Sequence, residues 1–144
     1  MVIPIPYKIG VSGSRKNRFT YYDIGKKMVT DILKSICKEY HYVIFGHGAC
    51  PYGGVDSIVN EFCKENNIPV KVFPPYYNLP SPERYHKRNR ELVEWSDIVI
   101  CIFAEEIYIG GTYYVMRYAK KLGKRLVVYI VDTVNEMWIR KEVI

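Results

Sequence analysis

The chain has 144 residues, enough for one domain with a proper core, and its 49% apolar and 25% charged residues exclude a disordered polyelectrolyte. No apolar run approaches the roughly 20 residues of a membrane span. No basic stretch leading into an apolar segment opens the chain, so no secretory signal is expected and the cytoplasm is the expected location. The formal charge of +6 points towards anionic partners.

In chain order, residues 7–11 form a short β-type run, and Gly13-Ser14-Arg15 follows. Thr20 with Asp23 has the pattern of a capping box and predicts a helix running to about residue 38. Its apolar positions Ile24, Met28, Ile32, Leu33 and Ile36 recur at helical spacing. Residues 42–45 read as a wholly apolar strand, the pattern of a parallel strand covered on both faces. A glycine-dense loop from Gly46 to Gly54 then opens a helix over 55–66.

Residues 70–73 are the third predicted strand, and Pro74, Pro75, Pro80 and Pro82 make an irregular connection behind it. A helix over 83–95 carries Arg88 and Asn89, and residues 98–103 read as a buried strand. Gly110-Gly111-Thr112 opens a further helix closed by Gly123, and 126–131 is the fifth strand. Residues 132–144 are weakly patterned and are expected to form a short helix or an oligomer contact.

This alternation predicts one α/β domain over residues 1–144. The expected fold is three-layered and Rossmann-like, with helices flanking a mostly parallel sheet of about five strands. Right-handed crossovers put every strand-to-helix loop on one rim, where open α/β sheets bind ligands. The loops at 10–15, 46–56, 74–77 and 105–112 therefore converge.

Several residues on that rim carry chemistry suited to an anion. Gly13, Ser14 and Arg15 offer amides, a hydroxyl and a guanidinium that grips phosphate bidentately. Gly46, His47, Gly48 and Gly54 lie in the long loop, where glycines admit a ligand close to backbone N–H groups and a helix N-terminus favours negative charge. Asp56 either complements the helix dipole or contacts a sugar hydroxyl, a ring nitrogen or a transferring proton.

Arg88 can reach a phosphate and Asn89 can hold a loop or a sugar, the alternative being a solvated basic helix face. Gly110, Gly111 and Thr112 form a second phosphate cradle by geometry. Glu105 and Glu106 precede it and, with Asp56, are the candidate catalytic carboxylates. Tyr7, Tyr52, Tyr76, Tyr77, Tyr108 and Tyr113 either stack a nucleobase or pack loops together.

The four cysteines form no CxxC or Cys/His cluster, so no metal is expected. Neither a Walker sequence nor GxGxxG occurs, and no cofactor is expected. Cys37, Cys63 and Cys101 read as buried small apolar residues, and Cys50 lies in the glycine loop.

Together these pieces resemble the SLOG superfamily, which contains the LOG phosphoribohydrolases, DprA and the YspA-like proteins. The resemblance is to the YspA-like branch and spans residues 8–130. It rests on Gly13-Ser14-Arg15, on the loop from Gly48 to Asp56, on Arg88-Asn89 and on Gly110-Gly111-Thr112, in that order. It implies a nucleotide or nucleotide-derived ligand at the strand C-termini, together with homodimerisation.

LOG enzymes use a glutamate shortly after their Gly-Thr, where this chain has Tyr114 and Val115. Hydrolysis of an N-glycosidic bond would therefore fall to Glu105, Glu106 or Asp56. The resemblance to DprA implies a third reading, single-stranded nucleic-acid binding through the basic rim. The apolar Met137-Trp138-Ile139 segment fits the expected homodimer.

Overall fold

The computed structural model describes residues 4–143. Its elements run β1 (Tyr7–Gly13), a 3₁₀ turn (Lys16–Arg18), α1 (Tyr22–Glu39), β2 (Val43–His47), α2 (Val55–Glu65), β3 (Val70–Val72), α3 (Glu83–Trp95), β4 (Ile98–Ala104), α4 (Gly110–Lys121), β5 (Arg125–Asp132) and β6 (Met137–Val143). The strands form one six-stranded sheet in the order β3-β2-β1-β4-β5-β6. The first five strands are parallel, and β6 alone pairs antiparallel with β5. No helix among the described residues is long and apolar enough to cross a membrane.

Side chains alternate across the sheet because successive Cβ atoms in a strand point to opposite faces. Ile9, Val11, Ile98, Ile100 and Ile102 join Val29, Ile32 and Leu33 of α1 and Ile58 and Val59 of α2 in one buried cluster. Val99, Cys101, Phe103 and Val128 meet Val93 of α3 and Val115 and Ala119 of α4 in a second. The three-layer, mostly parallel α/β architecture follows. All seven residues of β4 are buried, as expected of a central strand covered on both faces.

Two expectations are corrected. The sheet has six strands rather than about five, because the segment expected to be a short helix or an oligomer contact contains β6, which replaces the short-helix alternative. Its period-2 pattern is hidden because six of its seven residues are exposed at a sheet edge. Helix α1 also lacks the expected Thr20 cap: it starts at Tyr22, and its N-cap Tyr21 has no side-chain capping bond. The Tyr21 N–H instead donates to Thr133 Oγ1 at 3.1 Å, so a partner 112 residues away replaces a local one.

The sheet order reverses direction between β1 and β4, and the loops leaving these two strands part there. Gly54 fixes one side of that gap. It caps α2 at φ +95°, and a Cβ there would meet the Ser14 carbonyl oxygen and the Arg15–Lys16 backbone. Gly123 also has positive φ, at +67°, but faces open space. Gly54→Ala is expected to cost at least about 2 kcal/mol from strain plus collision, and Gly123→Ala about 1 kcal/mol from strain alone. Urea denaturation of both variants checks the ordering, and equal losses would contradict it.

Candidate functional site

A cavity of about 330 Å³ opens at the point where β1 and β4 diverge. Gly13, Ser14, Arg15, Gly48, Asp56, Arg88, Asn89, Gly110, Gly111 and Thr112 all line it, so ten of the expected ligand residues are brought together. Gly46, His47 and Gly54 are not among its lining residues. A Cβ on Gly46 would strike Trp95, so that glycine lets α3 lie close to β2. His47 is buried; its Nδ1 accepts from the Ala49 N–H at 3.0 Å, and its Nε2 meets Asn60 Oδ1 at 3.0 Å. These bonds shape the loop and leave its ring no part in the cavity.

Four amides in and just after the long glycine loop are occupied internally. Ala49 N–H goes to His47, Cys50 N–H to Asp56 Oδ2 at 3.0 Å, Gly53 N–H to the Cys50 carbonyl and Val55 N–H to the Ser14 carbonyl. Asp56 also puts a carboxylate in the first turn of α2, where an anion would otherwise sit. Ser14 closes the same junction: its N–H donates to the Ile102 carbonyl, and its Oγ accepts from the Ala104 N–H at 2.9 Å.

The N-terminus of α4 is open by contrast. It has no side-chain cap and no acidic residue in its first turn. The Gly110, Gly111 and Thr112 amides precede any intrahelical acceptor, and no other acceptor meets them among the described residues. Thr112 Oγ1 shares a hydrogen bond with Ser12 Oγ at 3.0 Å. Beside them stands Asn89, 4% exposed, whose Nδ2 has no hydrogen-bond partner among the described residues. A Cβ built on Gly111 would lie 3.4 Å from that nitrogen. A buried N–H group without an acceptor is costly and rare in native proteins, and here it stands beside a cavity at an uncapped helix start.

Arg88 organises the floor. It is 7% exposed, and its Nη1 donates to the Gly48 and Phe73 carbonyls while its Nε donates to Asn89 Oδ1 at 2.6 Å. That last bond orients the Asn89 amide, leaving Nδ2 as its free end. Burial pulls the Arg88 guanidinium pKa down, and the nearby Asp56 carboxylate opposes that. Burial pushes the Asp56 carboxyl up, against the pull of His47, Arg88 and the Cys50 and Gly48 N–H groups. Arg15 is exposed at the mouth, with its guanidinium 4.3 Å from the Tyr52 ring centroid.

Glu106, expected as a catalytic carboxylate, lies outside this cavity. It lines a separate recess with Glu105, Asp132 and Met137, and Glu105 is engaged by the N–H and hydroxyl of Thr133. Asp56 is the one carboxylate among the described residues lining the main cavity. Cys50 also lines it, with its thiol pKa raised by burial, which disfavours the thiolate a nucleophile needs. Among the described residues no cluster of three or more His, Cys, Asp or Glu could hold a metal ion.

None of the six rim tyrosines lines the cavity. Tyr7 starts β1 and stacks on Tyr40, and Tyr76 donates to Glu91. The aromatic wall comes instead from Tyr85 and His86, with Arg18, Ile107 and Ile109 nearby. The signal for Tyr85 was present, because Tyr85, Arg88, Asn89 and Leu92 recur at helical spacing along one face of α3.

The fold and cavity define a three-layer α/β domain with an open helix N-terminus at its topological switch point. A scan against protein-family models finds no match to the chain, and a search of curated proteins finds none either.

Removing Arg88 would orphan two buried carbonyls, whereas Arg15 bonds to no buried group. Arg88→Met is expected to cost about 2–4 kcal/mol, and Arg15→Ala no more than about 1 kcal/mol. Chemical denaturation of the two variants reads the difference; comparable losses would remove Arg88 from its structural role.

Proposed function

We propose that this protein binds a nucleotide or nucleotide-derived ligand in the cavity at the β1–β4 divergence, with a phosphate at the N-terminus of α4. One observation carries the reading: the unpartnered, buried Asn89 Nδ2 stands beside three free amides at an uncapped helix start. A phosphate supplies the acceptors that these donors lack, and the helix dipole favours its charge. Tyr85, Ile107 and Ile109 offer an apolar wall suited to the less polar remainder of such a ligand.

Membership of the SLOG superfamily, in its YspA-like branch, is part of this proposal. The four quoted motifs support it by position, since parts of each line one cavity. Binding, rather than cleavage of an N-glycosidic bond, is the function proposed. Asp56 is the one carboxylate lining the cavity among the described residues, and its Oδ2 is already engaged by the Cys50 N–H, which favours a binding role over proton transfer.

Asn89→Asp tests the anion site. The new side chain keeps an acceptor for Arg88 Nε and puts negative charge at the start of α4. Calorimetry with inorganic phosphate is expected to show binding to the natural protein and none to the variant. Thermal unfolding should show the variant equal in stability or about 0.5–1 kcal/mol more stable. Unchanged phosphate affinity would contradict the assignment.

A homodimer belongs to the same proposal. Strand β6 leaves one sheet edge free and exposes Met137, Trp138 and Ile139, and unpaired edges recruit further strands. Sedimentation is expected to find two copies for the natural protein and a single copy for Ile139→Lys. A natural protein that stays monomeric at every concentration would contradict this.

A further inference from the structure

Asp56 and Arg88, 6% and 7% exposed, are the only Asp, Glu, Lys or Arg side chains buried among the described residues. Both line the cavity, and each influences the other's titration. No ion pair closes between them: the ion pairs of the described residues are Lys26–Glu61, Arg90–Glu83, Arg140–Glu39 and Arg140–Glu142. Buried charges are ordinarily paired, because desolvation without compensation is expensive. Here two opposite charges are held apart by their own backbone bonds.

Asp56 is anchored by the Cys50 N–H, and Arg88 by the Gly48 and Phe73 carbonyls. Each retains unused capacity. The Asp56 carboxyl keeps acceptor sites beyond the one that Cys50 uses, and among the described residues the Arg88 Nη2 donors meet no acceptor.

The chemistry of a group that satisfies both is restricted. A second phosphate would be repelled by Asp56, and an ammonium by Arg88. An N–H donor would serve the carboxylate and leave the guanidinium unserved. A hydroxyl does both, donating to Asp56 and accepting from Arg88, and a vicinal pair does so with two atoms on one ring.

We infer that Asp56 and Arg88 form a sugar-diol subsite, so that the ligand is a ribose phosphate with one phosphate on α4 and its 2,3-diol between these two side chains. This inference rests on the anion reading of α4 and deepens it. It makes Asp56 a specificity residue for the hydroxyls rather than a partner of the phosphate. It also makes the cavity bipolar, with donors at the α4 end and a carboxylate at the α2 end, which selects against chains of phosphates.

The test compares three probes by calorimetry: inorganic phosphate, ribose 5-phosphate and 2-deoxyribose 5-phosphate. The natural protein is expected to bind the ribose compound at least about tenfold more tightly than the deoxy compound. Asp56→Asn and Asp56→Ala are expected to bring that ratio towards one while inorganic phosphate binds as before. Equal affinity of the natural protein for the two sugars, with phosphate still binding, would overturn the diol subsite and leave the anion site standing. Failure of all three probes to bind would overturn both. The ratio in the natural protein decides the matter even where an Asp56 variant does not fold.

Discussion

The Arg88 guanidinium holds the site together. It lies almost fully buried, donating to carbonyls at the ends of β2 and β3 and to Asn89 on its own helix. A guanidinium with five fixed donors can tie three chain segments at once, which a lysine ammonium on a flexible stem does less well. Its burial costs desolvation energy that the carbonyls and the Asp56 field offset in part. Through this one side chain the position of α3 is coupled to the glycine loop before α2. The orientation of Asn89 against the start of α4 follows from the same bond.

Two helix N-termini face the same divergence of the sheet, and their chemistry is opposite. Helix α2 is partly closed: Ser14 supplies a carbonyl to Val55, and Asp56 occupies the first turn with its own carboxyl group. Helix α4 is left with bare amides, an adjoining orphan donor and no acid in its first turn. This difference gives the cavity a direction, with donors at one end and a buried carboxylate at the other. Such unsatisfied groups are destabilising in the unliganded protein, and strain kept at a site is common where a ligand relieves it.

The layered α/β architecture was legible from the sequence, because β4 is apolar along its whole length and the helices carry clear 3.6-residue stripes. Convergence of the loops at 10–15 and 46–56 with residues 107–112 follows from crossover handedness, whereas residues 74–77 do not line the cavity. The bonding within the glycine loop is not legible from sequence, because a run of glycines shows where backbone N–H groups are accessible, not which of them are already bonded. His47 and Asp56, the residues that occupy those amides, read from sequence as ligand contacts.

Glu106 lies apart from the cavity because its loop turns at positive φ, 57° at Glu105 and 59° at Glu106, and lays both side chains against the end of β5. The β6 edge was missed because an exposed strand carries no burial pattern to read. Tyr85 was the recoverable omission, since it shares a helical face with Arg88 and Asn89.

The claim that the start of α4 takes the anion is tested most directly by nuclear magnetic resonance of the backbone and side-chain amides during a phosphate titration. The account predicts saturable shifts at the Gly110, Gly111 and Thr112 amides and at the Asn89 side-chain NH₂, with Ala49, Cys50 and Gly53 little changed. Saturable shifts centred on the loop before α2, with α4 silent, would contradict it.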